Sequence, residues 1–413
     1  MIDRRLFLKS SGLALVASGV VPRVFVRMAE AGTTKGRKVL VAVFQRGAVD
    51  GLNVVVPHAE QAYYDARPTI AVPRPGSEGG ALDLDGFFGL HPSLGSLHPY
   101  FKDRSAAFVQ AVGSPDPSRS HFDAQDFMES GTPGLKATED GFLSRALVAQ
   151  KDEKTSPLRA VALSPAMPRI LAGSAGAVAM TNVSQFGINA GSASGSVSAS
   201  FESMYADAVA GALGGTARES FDAARILKST APGKLGPENG ALYPNGPLSN
   251  SLRQIAQLIK AGVGLEVAFT DVSGWDTHAG EGGAQGQLAN NLRNFSDAIA
   301  AFARDLGSRM SEVVLVTMSE FGRTVRENGN RGTDHGHANF MMVLGGGVKG
   351  GKVYGTWPGL DSSHLYENRD LAVTTDFRDI FGELLSKQAG VGNLAPVFPG
   401  YDSSHAKWRG VLA

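Results

Sequence analysis

The chain has 413 residues, and 43% of its side chains are hydrophobic, enough to bury a large core in one or two domains. Its 39 basic residues equal its 39 acidic ones, so it has no basic field for nucleic acid and no basic amphipathic helix for a membrane surface. Cysteine is absent, which excludes disulfides, a cysteine-linked lipid anchor and thiolate metal ligands.

The first segment concerns targeting. Arg4-Arg5-Leu6-Phe7-Leu8-Lys9 reads R-R-x-F-L-K, a twin-arginine export signal. A weakly apolar stretch rich in small residues runs from Ser11 to Val21, and Ala29-Glu30-Ala31 offers a small-x-small cleavage site. That stretch is too short to span a bilayer comfortably. Residues 1–31 are therefore expected to be a signal peptide, not a permanent membrane anchor. The mature chain is expected to start near Gly32, in the periplasm or secreted, with the twin-arginine translocase as its partner during export. Proteins on that route travel folded, often with a metal or cofactor already loaded. The leader carries five basic and two acidic residues, so residues 32–413 are mildly acidic.

Five apolar runs of strand length then follow: Lys38 to Phe44, Ala106 to Val112, Leu265 to Thr270, Val313 to Met318 and Phe340 to Leu344. Runs apolar on both faces predict a buried, mostly parallel sheet. Helices are predicted between and after them. Leu252, Ile255, Leu258 and Ile259 mark one that ends at Gly262. Leu288, Leu292, Phe295, Ile299, Phe302 and Leu306 mark a second that ends at Gly307. Phe377, Ile380, Phe381, Leu384 and Leu385 mark a third that starts near Asp376. The pattern predicts a three-layer α/β sandwich. Residues 172–250 differ. They are rich in Gly, Ala and Ser, as in Ala190 to Ser196, and read as an insertion or cap over the sheet or as a surface loop, with a helix near Arg218 to Leu227.

Polar clusters follow these strands. Asp50 comes after the first run, Pro117-Ser118-Arg119-Ser120-His121-Phe122 after the second, Asp276-Thr277-His278 after the third and Ser319-Glu320-Phe321-Gly322-Arg323-Thr324 after the fourth. Asp334-His335-Gly336-His337 precedes the fifth run. Open α/β sheets place their sites beyond the carboxyl ends of the strands, so clusters from distant parts of the chain are expected to meet at one edge. Carboxylates and imidazoles there can hold a divalent cation, Zn, Mn, Mg or Ca, as one or two ions. The plainer reading of Asp334 to His337 is a loop that satisfies its own backbone. His58, His91 and His98 lie in proline-containing loops and read as surface or packing histidines. Trp275 reads as core. No phosphate-binding or dinucleotide glycine pattern appears, so no nucleotide cofactor is expected.

Five segments carry a resemblance: Asp50-Gly51-Leu52-Asn53-Val54-Val55-Val56-Pro57, Arg119-Ser120-His121-Phe122, Trp275-Asp276-Thr277-His278, Ser319 to Thr324 and Gly345 to Gly351. Through them the mature chain resembles the exported DUF1501 family. That family is similar to the alkaline phosphatase–sulfatase superfamily, which includes cofactor-independent phosphoglycerate mutases. The resemblance implies an alkaline-phosphatase-like α/β domain, a two-metal site, a hydroxyl or formylglycine nucleophile, and hydrolysis or transfer of a phosphate or sulfate ester.

Carried over residue by residue, Asp50 matches the first metal-binding aspartate of the superfamily. Asp276 and His278 match an Asp-x-x-x-His pair shortened to Asp-x-His. The superfamily's Ser/Ala-Asp-His-Gly turn matches Ser319-Glu320-Phe321-Gly322 by position or Asp334-His335-Gly336 by residue type. In the first case His335 or His337 supplies the later histidine. Pro117-Ser118-Arg119 resembles the Pro-Ser-Arg of sulfatases. Pro115 then stands where their modified residue stands, which argues against a formylglycine enzyme. Ser120 and Ser118 remain as candidate hydroxyl nucleophiles, with Arg119 to bind the anion. Serine before a helix is also a common N-cap. Three classes stay open: a metal-dependent hydrolase or transferase on a small anionic ester, an exported binding or assembly protein that keeps the fold, and a metal-binding protein without catalysis.

Overall fold

The computed structural model describes residues 38–136, 138–150, 155–186 and 222–413. The leader 1–31 and the Ala190–Ser196 stretch lie outside the described residues. Among those described, no helix is long and apolar enough to cross a membrane.

The strands in chain order are β1 (Val39–Gln45), β2 (Val55–Val56), β3 (Leu82–Asp83), β4 (Gly89–Leu90), β5 (Ala106–Gly113), β6 (Ala160–Leu163), β7 (Val178–Met180), β8 (Val267–Val272), β9 (Val313–Met318), β10 (Asn339–Gly345), β11 (Val353–Tyr354) and β12 (Thr375–Asp376). Among the described residues, nine form the main sheet, in the order β11-β5-β10-β9-β1-β8-β6-β7, with β12 also pairing with β5. The strands β2, β4 and β3 make a small separate sheet.

All main-sheet pairings are parallel except those of β10, which runs against both β9 and β5. The five apolar runs are strands, each within two residues of its sequence bounds. The short strands β6, β7, β11 and β12 carry too few residues to leave a periodic signal.

Both sheet faces are covered, which is why β1 is apolar at successive positions. Val39, Val41 and Val43 enter one core, and Leu40, Ala42 and Phe44 enter the other. The first core also holds the apolar faces of the helices Pro247–Ala261 and Gln287–Leu306. The second holds those of His121–Ser130, Phe142–Ala149 and Phe377–Lys387. This is the three-layer α/β sandwich with a mostly parallel central sheet.

Helix Gln287–Leu306 buries Leu288, Leu292, Phe295, Ile299, Phe302 and Leu306, each worth roughly 1.5–3 kcal/mol of burial. The helix ends are set locally. Gly262 caps Pro247–Ala261 in the left-handed conformation at φ 64°. Asp376 accepts a bond from the Arg378 backbone N–H at 2.9 Å to start the last helix.

Of the 172–250 segment, β7 forms one edge of the sheet, and residues 222–230 are helical. Asp305 tethers the stretch that follows by accepting bonds from the Glu238 backbone N–H and the Tyr243 hydroxyl.

Candidate metal centre

The strands β1, β8, β9 and β5 all end at the same sheet edge, and β10 starts there because it runs the other way. The loop after β1 is pressed against the loop after β8. A Cβ on Gly47 would lie 2.8 Å from the Asp276 backbone nitrogen, and Gly47 has a φ of 112°, so only glycine fits. The loop after β9 bridges the segment before β10 through Arg323 and His335. Gly322 donates to the His337 carbonyl at 2.8 Å, and a Cβ on Gly322 would sit 1.8 Å from the Ala338 carbonyl oxygen.

Buried Arg323 ties these loops together. It donates to the carbonyls of Ala48, Gly47, Thr333 and Trp275, and at 2.6 Å to Asp276 Oδ1. Asp276 is thereby aimed outward. Partial burial would raise its pKa, but the Arg323 hydrogen bond and charge hold it below the usual carboxylate range.

Three imidazoles converge on that carboxylate. His335 Nε2 lies 3.2 Å and His278 Nε2 3.0 Å from Asp276 Oδ1, and His121 Nε2 lies 3.5 Å from Oδ2. Donor atoms of His121, Asp276 and His335 all lie within 4.8 Å of one another.

Each ring is tied back through its other nitrogen. His335 Nδ1 meets the Arg119 carbonyl at 2.8 Å, His121 Nδ1 meets Glu320 at 2.7 Å, and His278 Nδ1 meets Asp334 at 3.0 Å. A carbonyl or ionised carboxylate can only accept, so each Nδ1 carries a hydrogen, and in its neutral form each ring presents a lone pair at Nε2. Two such lone pairs, those of His278 and His335, lie 2.9 Å apart, an arrangement that needs a cation or proton between them. The His121 Nε2 is buried without a hydrogen-bond partner. These donors fit a divalent cation.

The supporting groups have matching electrostatics. Burial would raise Glu320, but bonds from His121, Gln125 and the Gly47 backbone keep it ionised. The Glu320 hydrogen bond in turn raises the His121 pKa against burial, whereas burial lowers that of His335. Asp334, bonded by Asn328 and His278, is held below the usual range.

The structure therefore brings Asp276, His278 and His335 together and places Glu320 and Asp334 behind the histidines as hydrogen-bond partners. His337 is buried and stacks on Tyr366 at 4.4 Å instead of joining the cluster. Asp50 is fully buried and paired with Arg67. The Arg119 guanidinium is engaged by Glu367 and Asp370, and its carbonyl is what serves the cluster. Ser118 Oγ accepts from the Ser120 backbone N–H at 3.2 Å. Ser120 is the N-cap of His121–Ser130, its hydroxyl accepting from Asp123 at 3.5 Å.

Sequence reasoning passed over His121 and the anchoring role of Arg323. The signal for His121 was its position, directly after a capping serine at the end of β5. Of the histidines judged peripheral, His58 pairs with Asp83, and His91 caps a short helical turn through Ser93. Trp275 is core.

No curated protein matches this chain. Among solved structures the chain is similar to the C-terminal periplasmic domain of EcEptC from Escherichia coli, in complex with Zn. Identity is 10% over 75% of this chain and 74% of that one, with a TM-score of 0.34, a likeness too loose to place side chains. Residues 37–396 match the family model described as protein of unknown function (DUF1501). With nearly the whole described chain inside that match, the chain belongs to the DUF1501 family.

Proposed function

We propose that the chain is an exported hydrolase or transferase of phosphate or sulfate esters that works with a divalent cation held by His121, Asp276, His278 and His335. The observation that carries this reading is the convergence of three imidazoles, each oriented by an acceptor on its δ nitrogen, on one carboxylate at the sheet edge. Three nitrogens and one oxygen suit Zn better than Mn, Mg or Ca, which favour oxygen ligands. A cation there supplies positive charge against the negative charge that develops on the ester oxygens.

The residues around it have separate tasks. Arg323 holds Asp276 in place, and Glu320, Asp334 and the Arg119 carbonyl fix the rings. Asp276 and His278 are 46% and 43% exposed, which leaves the cluster open to a small anionic ester. The twin-arginine leader supports export to the periplasm.

A second reading keeps the cation and drops turnover, as in a binding or assembly protein. It is favoured by the commitment of Arg119 to two carboxylates and of the Ser118 and Ser120 hydroxyls to backbone N–H groups.

Purification without chelator, metal analysis and assays on aryl phosphate and aryl sulfate separate the two. Bound metal with turnover that disappears in His335→Ala is the expected result. Bound metal without turnover selects the second reading. A folded, metal-free wild type that does not take up added zinc overturns both.

A further inference from the structure

The superfamily resemblance implies two ions and matches Asp50 to its first metal-binding aspartate. In this structure Asp50 is already engaged by a buried guanidinium. Both of its oxygens accept from Arg67, with Nη2 at 3.0 Å from Oδ1. All five N–H groups of Arg67 are used. Nε donates to the Val325 carbonyl at 2.8 Å. Nη1 donates to Asp50 and to Asn53 Oδ1 at 2.8 Å, and Nη2 to Asp50 and to the Thr324 carbonyl at 2.9 Å. Arg67 and Asp50 are both fully buried. An ion at Asp50 would have to displace a fully buried guanidinium from its carboxylate partner.

The neighbouring carboxylates are largely committed too. Glu281 is fully buried; its Oε2 accepts from Thr277 at 3.0 Å and Thr333 at 2.7 Å, and its Oε1 is buried with no hydrogen-bond partner among the described residues. Glu320 Oε1 accepts from Gly47, His121 and Gln125, and its Oε2 from Ser319 at 3.1 Å.

We propose that the centre takes a single ion, and that the Arg67 guanidinium stands as a built-in cation where the superfamily resemblance places a second one. This rests on the metal reading above. It gives Asp50 a role in holding the fold and confines metal binding to His121, Asp276, His278 and His335. An incoming anion then meets one bound cation, not a pair. Arg67 cannot assist, because every donor it has points into the protein.

Zinc stoichiometry decides the matter. Protein is loaded with zinc, freed of excess by gel filtration and analysed by mass spectrometry, alongside calorimetric titration with zinc alone. One ion per chain is expected in the wild type. Folded Asp50→Asn should bind the same single ion with affinity unchanged within a factor of about two, whereas His335→Ala should lose roughly 10–100-fold or more in affinity. Two ions in the wild type, or a single ion lost from folded Asp50→Asn, overturns the proposal while leaving a metal site in place. No ion in the wild type overturns the metal reading itself. The wild-type count stands even where Asp50→Asn does not fold.

Discussion

Burial favours the neutral form of Glu281 in the folded protein. The side chain is fully buried, and burial together with the neighbouring Asp50 charge raises its pKa well above the usual carboxyl range. Burial would raise Asp50 as well, but Arg67 holds it ionised. The pair therefore favours a single proton, carried by Glu281. The linkage has a definite sign. An unfolded glutamate loses its proton near pH 4.3, while the folded one keeps it to a higher pH. Over that window the folded state binds more protons, so this contribution to stability is full below about pH 4.3 and falls as pH rises. Glu281→Gln keeps the donor and the acceptor but has no proton to lose. Denaturant unfolding at pH 5 and pH 8, with chelator present, should show the variant gaining on the wild type as pH rises. An equal difference at both values would mean that Glu281 is ionised. The same scale marks the limit of the sequence. Asp276, His278 and His335 could be named from residue type, but Glu320 and Asp334 were named as ligands alongside them. A ligand and its hydrogen-bond partner are both acidic residues near histidines, and only the folded distances separate them.

At the scale of elements, the five long strands and three of the helices were legible because each buries an uninterrupted run or one helical face. The direction of β10 was not. An apolar strand reads the same either way, yet its reversal is what carries His335 to the edge where β8 delivers Asp276. The helix His121–Ser130 shows a similar ambiguity. Serine before a helix suits a nucleophile or a cap, and the structure gives Ser120 the capping geometry while its side chain stays exposed. The bond is long at 3.5 Å, so Ser120→Ala should cost only about 0.5 kcal/mol of stability, the low end for a lost cap. Zinc affinity should not change, because His121 is held by Glu320 and not by the cap. Turnover of an aryl ester should survive in the variant. Its abolition, with metal and fold intact, would make Ser120 the nucleophile.

For the whole molecule, the sheet is closed by pairings between distant parts of the chain. The central strand β1 pairs with β8 and β9, over 200 residues downstream, and β5 pairs with β10, β11 and β12. Loop closure of that length precedes most core formation, which makes folding slow and leaves apolar strands exposed until the C-terminal third has been made. The cluster has the same requirement, since its histidines come from the loops after β5 and β8 and before β10. On the proposed reading, such a chain would fold and take up its ion before export, the order that the twin-arginine route expected from the sequence imposes. Replacing both Arg4 and Arg5 with lysine should therefore leave the protein in the cytoplasm, still folded and still able to bind zinc, with its leader uncleaved. The measurement is cell fractionation with metal analysis of the retained protein. Normal delivery of the double variant to the periplasm would show that the leader does not use this route. Retention as an unfolded or metal-free species would instead separate export from loading and place assembly of the centre after translocation.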